Sequence, residues 1–184
     1  MTHRLFCLLT LLFSLSGPAM GTTGDFGPCS LAAKGGAFLD DGLMRTKHLN
    51  SFSADEVIAA MDKHSDLISQ LRNGPVVMPS GSLSSQLMGE LTLATSKEVG
   101  LWRLADGSRV LNLGLRGSVG APSGATRLIA HTHPSGVLNF SDHVNAAGTR
   151  VGDVAAFSKL LPNQRSSVLI GPSGAARRLM IPRQ

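Results

Sequence analysis

His131 and His133 stand one residue apart, after the apolar run Leu128-Ile129-Ala130 and before Pro134, Ser135 and Gly136. An apolar run ending in a Pro-Gly cluster predicts a short buried strand that opens into a loop. On a strand, side chains at i and i+2 point to the same side, so the two imidazoles can be presented to one point. Imidazole is a common zinc ligand, and a strand end opening into a loop leaves room for a third ligand and a water. The plain alternative, two ordinary polar residues at a strand end, is the commoner outcome for a bare His-x-His. The neighbouring residues shift that balance.

His131-Thr-His133-Pro134 followed by Ser141 resembles the signature of the JAMM (JAB/MPN+) metalloproteases. The wording His-Thr-His-Pro-Ser-Gly is closest to the bacterial RadC-like and secreted JAB-toxin-like branches. That family carries an upstream glutamate at a strand start, commonly followed by a glycine, and Glu98-Val-Gly100-Leu-Trp102 is similar; Glu90 is the competing glutamate. The family pattern closes with Ser-x-x-Asp, whereas Ser141 is followed here by Asp142, His143 and Val144. Removing residues 143–151 would leave Ser141-Asp142-Gly152-Asp153 and restore the pattern. An insertion of nine residues is therefore expected, with Asp153 as the aspartate and Asp142 as the alternative. The resemblance runs from about residue 84 onward.

The resemblance implies zinc held by His131, His133 and Asp153, Glu98 as general base and Ser141 as donor to the tetrahedral oxyanion. Two imidazoles and a carboxylate leave the fourth tetrahedral position open, as in catalytic rather than closed zinc sites. Zinc brings the pKa of a water there toward about 7, and loss of an oxyanion donor typically costs about 2.7–4 kcal/mol. The implied reaction is hydrolysis of a peptide or isopeptide amide in a protein substrate. The implied fold is a single mixed β-sheet domain flanked by helices, JAB/MPN-like, with the layering of cytidine deaminases. Each assignment has a plainer rival. Glu98 could be a solvated strand-end acid, Ser141 a turn cap, Asp153 a helix N-cap, and His143 either an extra ligand or a surface loop residue. A family member without a complete ligand set would be a catalytically inactive binding or scaffold module.

The elements that must position these residues can be read in part. Residues 1–21 combine a short cationic start, the apolar run 5–15 and Ala19-Met-Gly21, the pattern of a secretory signal peptide; secreted or periplasmic location is the expectation. Its removal leaves 16 Lys and Arg against 12 Asp and Glu, with Cys29 the remaining thiol. No Lys/Arg block or basic-aromatic interleaving is present, so nucleic-acid binding is not indicated, and no later stretch approaches membrane-spanning length. Residues 22–50 read as an irregular leader with one short element over 31–38, and the domain is expected over 51–184. Ser53-Ala-Asp-Glu56 is a capping box that opens a helical segment over 53–73 with the stripe Val57, Met61, Ile68 and Leu71. His64 falls in that stripe as a boundary histidine. A short strand at 76–78 and a helix over 84–96 follow, and strands at 98–104 and 109–115 flank the turn Ala105-Asp-Gly-Ser108. A helix from Val154 to Leu161 and a closing hairpin around Gly171-Pro-Ser-Gly174 complete the chain. Trp102 is expected in the core or a pocket wall, and Arg165, Arg177 and Arg178 as solvated hairpin residues.

Overall fold

A computed structural model of the chain describes residues 38–40, 43–79 and 81–182. The expected signal segment, Cys29 and nearly all of the short element expected over 31–38 lie outside those residues. Strands β1 (Phe38–Asp40) and β2 (Leu43–Arg45) pair antiparallel, and a 3-10 turn follows at Leu49–Ser51. Ser53 then caps α1 (Ala54–Lys63): its hydroxyl accepts from Glu56 N at 3.2 Å, while the Glu56 carboxylate accepts from Ser53 N at 2.6 Å. This is the capping box predicted from the four-residue spacing.

The one helical segment expected over 53–73 is two helices, α1 and α2 (Ser65–Asn73), because the backbone leaves helical geometry at His64 (φ −118°, ψ 18°). His64 Nε2 lies 2.6 Å from Glu90 Oε2 at the break. The apolar stripe is interrupted with it: Ile68 and Leu71 are buried, whereas Met61 is exposed.

The remaining elements are β3 (Val76–Val77), α3 (Ser85–Thr95), β4 (Val99–Leu104), β5 (Arg109–Leu113), β6 (Ala125–Thr132), β7 (His143–Val144), β8 (Arg150–Val151), α4 (Asp153–Leu160), β9 (Ser166–Ile170) and β10 (Ala176–Met180). Six strands form one sheet in the order β10-β9-β6-β4-β5-β3. β6 and β9 are parallel, joined through α4, and the other neighbours are antiparallel. The molecule is thus a mixed α/β fold with a mixed sheet flanked by helices, as expected at that level.

Both faces of the sheet are covered. On one, α2 and α3 bury Ile68, Leu71, Met88 and Leu91 against Val99, Leu101, Leu111, Ala130 and Ile170. On the other, Phe157 and Leu161 pack on Trp102, Val110 and Leu128. Each fully buried side chain of this size contributes about 1.5–3 kcal/mol, which holds the central strands rigidly under the site. Gly89, a weak helix former, has a packing reason: a Cβ there would lie 2.6 Å from Gly174 N. α3 can therefore pass directly against the turn between β9 and β10.

Residues 44–49, assigned by sequence to an irregular leader, lie against the loop that follows His133. Thr46 donates to Gly136 O from its N–H at 2.7 Å and from its hydroxyl at 3.1 Å. Leu49 N donates to Pro134 O at 3.1 Å, and Leu138 N donates to Met44 O at 2.7 Å. The ordered fold therefore starts ahead of residue 51.

Candidate metal centre

β6 lies between β4 and β9, and its C-terminal end carries the first ligand. His131 pairs with Gly100 of β4 and Leu169 of β9 and is almost wholly buried. His133 lies just past the strand, its N–H donating to Ile170 O at 2.8 Å. Thr132 turns the opposite way, where its hydroxyl accepts from Val99 N at 2.8 Å and from the Thr92 hydroxyl of α3. The alternation along the strand thus delivers both imidazoles to one side. Gly100, opposite His131, supplies room: a Cβ there would lie 2.7 Å from Trp102 Nε1 and 2.8 Å from a Val119 methyl.

Asp153 arrives from the other direction as the first residue of α4, where a negative charge is favoured by the helix dipole. It is not the helix N-cap. Gly152 (φ 105°) holds that position, and the Asp153 carboxylate is used elsewhere. Its Oδ2 accepts from Ser141 N at 2.8 Å and from Ser141 Oγ at 2.9 Å, and Asp153 N donates back to Ser141 Oγ at 2.9 Å.

Held in this way, Asp153 Oδ1 is 3.1 Å from His131 Nε2, Asp153 Oδ2 is 3.2 Å from His133 Nε2, and the two Nε2 atoms are 3.2 Å apart. A tetrahedral centre with bonds of about 2.0–2.1 Å has edges of about 3.3 Å. The two Nε2 atoms stand at that corner spacing from each other, and each has one Asp153 oxygen at it, Oδ1 for His131 and Oδ2 for His133, so that His131, His133 and Asp153 form a group that could hold a metal ion.

The donor chemistry agrees. His133 Nδ1 lies 2.8 Å from Val137 O, a carbonyl that can only accept, so Nδ1 carries a proton and Nε2 is the ring nitrogen turned toward Asp153. Burial lowers the His131 pKa and outweighs the opposing pull of Asp153. Burial also works to lower His133, but the hydrogen bond and charge of Asp153, with the charge of Glu98, leave it raised. Burial would raise Asp153, yet hydrogen bonds and charge from both histidines hold it far below the usual carboxylate range.

Glu98 sits immediately ahead of β4 and is 7 % exposed. Burial raises its carboxyl to about 7, with His133 pulling it down and Asp153 pushing it up. The competing Glu90 has a different setting: its carboxylate takes Lys63, His64 and Gln86. Burial would raise Glu90, but those partners bring it down to about 2. A carboxyl that gives up its proton near pH 7 suits proton transfer, and one ionised down to pH 2 does not.

The insertion expected over 143–151 is a hairpin. β7 and β8 pair antiparallel, and Asn145 Oδ1 organises the turn by accepting from Ala147 N at 3.0 Å and Thr149 N at 2.9 Å. Asp142 and Arg150 close its base through two charge-assisted hydrogen bonds, with Arg150 Nε 2.6 Å from Asp142 Oδ1. Asp142, the alternative aspartate, is thereby occupied and exposed, and His143 is exposed on β7. With the base closed, Ser141 and Asp153 face each other as neighbours although 12 positions apart.

Ser141 differs from its expected role as a free donor. It has one hydroxyl proton, and that proton is given to Asp153 Oδ2. Val137 O was not foreseen; as a backbone carbonyl it has no residue-type signature in a sequence. Comparison of the chain with family models, with curated proteins and with solved structures found no match. Among the described residues, no helix is long and apolar enough to cross a membrane.

Proposed function

We propose that this chain is an exported zinc-dependent metallopeptidase or isopeptidase of the JAMM type, with JAB/MPN-like layering, that hydrolyses an amide bond in a protein substrate. The observation that carries the reading is the meeting of His131, His133 and Asp153 at tetrahedral edge distances beside the buried Glu98. Zinc held there would supply Lewis acidity and bring the pKa of a water in the open position toward about 7. Glu98, with its carboxyl raised to about 7, is suited to take a proton and return it to the leaving amine. Val137 O fixes the ring of His133, and Ser141 fixes the carboxylate of Asp153, so two of the three ligands are oriented in advance.

The test measures metal content and peptide hydrolysis together. Wild type should carry about one zinc per chain, H131A should carry none, and E98Q should keep zinc while losing hydrolysis by at least about a hundredfold. An E98Q variant as active as wild type would remove Glu98 from the mechanism. One observation favours a second reading, a metal-binding but inactive interaction module: the Ser141 hydroxyl is spent on Asp153. Wild type that binds zinc stoichiometrically and hydrolyses no member of a diverse peptide library would support that module instead.

A further inference from the structure

Three arginines that are far apart in sequence meet in a row across the sheet. Arg103 of β4 pairs directly with Arg109 of β5 on one side and with Arg127 of β6 on the other. Residues paired across strands project to the same face, and adjacent strands lie about 4.8 Å apart, so the row spans about 10 Å. It lies at the end of the sheet opposite the candidate metal centre: on β6 (Ala125–Thr132) Arg127 is near the start and His131 near the end. Arg178 on β10 shares this face through its partner Val168, and the exposed Met180 shares it through Ser166.

Like charges placed directly opposite on neighbouring strands destabilise a sheet, and no ion pair offsets them. Among the described residues, Arg103, Arg109 and Arg127 make no ion pair and no side-chain hydrogen bond. Arg127 Nε is buried without a partner. The acid in the adjoining turn, Asp106, makes no ion pair with them; its Oδ1 accepts from Ser108 N at 2.9 Å and Ser108 Oγ at 2.7 Å. A cost to the fold with no structural return is the mark of a functional surface.

We propose that the end of the sheet carrying this row, where Arg103 is exposed and Arg109 and Arg127 are half-buried, docks an acidic segment, a run of Asp and Glu, of a protein partner. All the charges in the row are guanidinium groups, which recognise carboxylates through paired, directional bonds that lysine cannot make. Their positions are fixed by the sheet, which suits a ligand with ordered charges rather than a fluid lipid surface. No aromatic residue joins the row to stack on bases, as single-stranded nucleic acid would require. The inference is independent of the metal centre and stands or falls without it.

The experiment is fluorescence anisotropy of a labelled deca-glutamate peptide with the full chain at low salt, alongside thermal melting. Wild type should bind the peptide. R103Q and R127Q should each weaken binding at least tenfold, and R116Q, which lies outside the row, should leave it unchanged. R103Q should melt at or above the wild-type temperature, because it removes repulsion from both neighbours. The proposal is overturned if wild type ignores the peptide, if it prefers phosphatidylglycerol vesicles or duplex DNA, or if R103Q and R127Q bind as wild type does. It is equally overturned if R103Q melts several degrees lower, since the row would then be part of the structural frame.

Discussion

Two of the three ligands of the candidate centre, His133 and Asp153, are aimed by a second group, and that arrangement separates residues that look alike in sequence. Asp142 and Asp153 are both plausible aspartates by spacing, but only Asp153 faces the histidines. D153N should abolish stoichiometric metal binding and D142N should leave it intact, as read by metal analysis of the purified proteins. Ser141 steers Asp153, so S141A should weaken metal affinity by about 10–100-fold, the usual effect of removing an outer partner of a ligand. Competition with a chelator of known affinity measures it. Glu98 makes a claim on stability as well. Its carboxyl is raised from an ordinary 4.5 to about 7, so between those pH values the folded chain holds the extra proton. Stability of the metal-free protein should fall as pH rises through that window, by on the order of 3 kcal/mol, and then level off. Denaturant titrations of wild type and E98Q at pH 5 and pH 8 should show a larger fall with pH in the first than in the second.

At the scale of elements, the hairpin of β7 and β8 is an independent unit whose base is already closed. Excising residues 143–151 should leave a folded protein that still binds metal, with Asp142 and Gly152 joined; loss of metal binding would show that the hairpin helps shape the centre. The strap formed by residues 44–49 makes a different demand. Gly136 has φ 71°, and a Cβ on it would come within 2.6 Å of Thr46 O. G136A should therefore cost about 1–3 kcal/mol for the backbone conformation alone, seen as a lower denaturation midpoint. These elements also show what a linear reading can and cannot reach. The capping box at Ser53, the strand ending in His131 and the turn at residues 105–108 are local patterns and were legible. The break at His64 was not, because it is tied to Glu90, 26 positions away. The pairing of residues 44–46 with the loop after His133 was equally hidden, since a three-residue strand has no period of its own and its partner lies some 90 residues on. The site was legible in its histidines and glutamate. Asp153 became legible only through a family pattern with the insertion removed.

Across the whole molecule, charge is distributed in ways that composition conceals. The excess of basic residues looked unremarkable as a list, because Arg103, Arg109 and Arg127 are brought together only when β5, β4 and β6 align. Acidic conditions should expose another long-range link. Glu90 ties α1 and α2 to α3 through Lys63 and His64, and its carboxyl is lowered from 4.5 to about 2. A group depressed on folding stabilises the fold above its unfolded value, and that contribution disappears as pH falls from about 4.5 through about 2. E90Q should flatten that acid-side loss, as measured by urea unfolding at pH 5 and pH 3.

The Asp142–Arg150 clasp has a practical corollary. Since the chain leaves and re-enters the domain at one fastened point, whatever is spliced beyond it inherits a fixed anchorage close to the candidate ion-binding corner. A fluorescent lanthanide tag or a foreign loop could be grafted between Val144 and Arg150, turning that spot into a reporter of occupancy without disturbing the strands beneath.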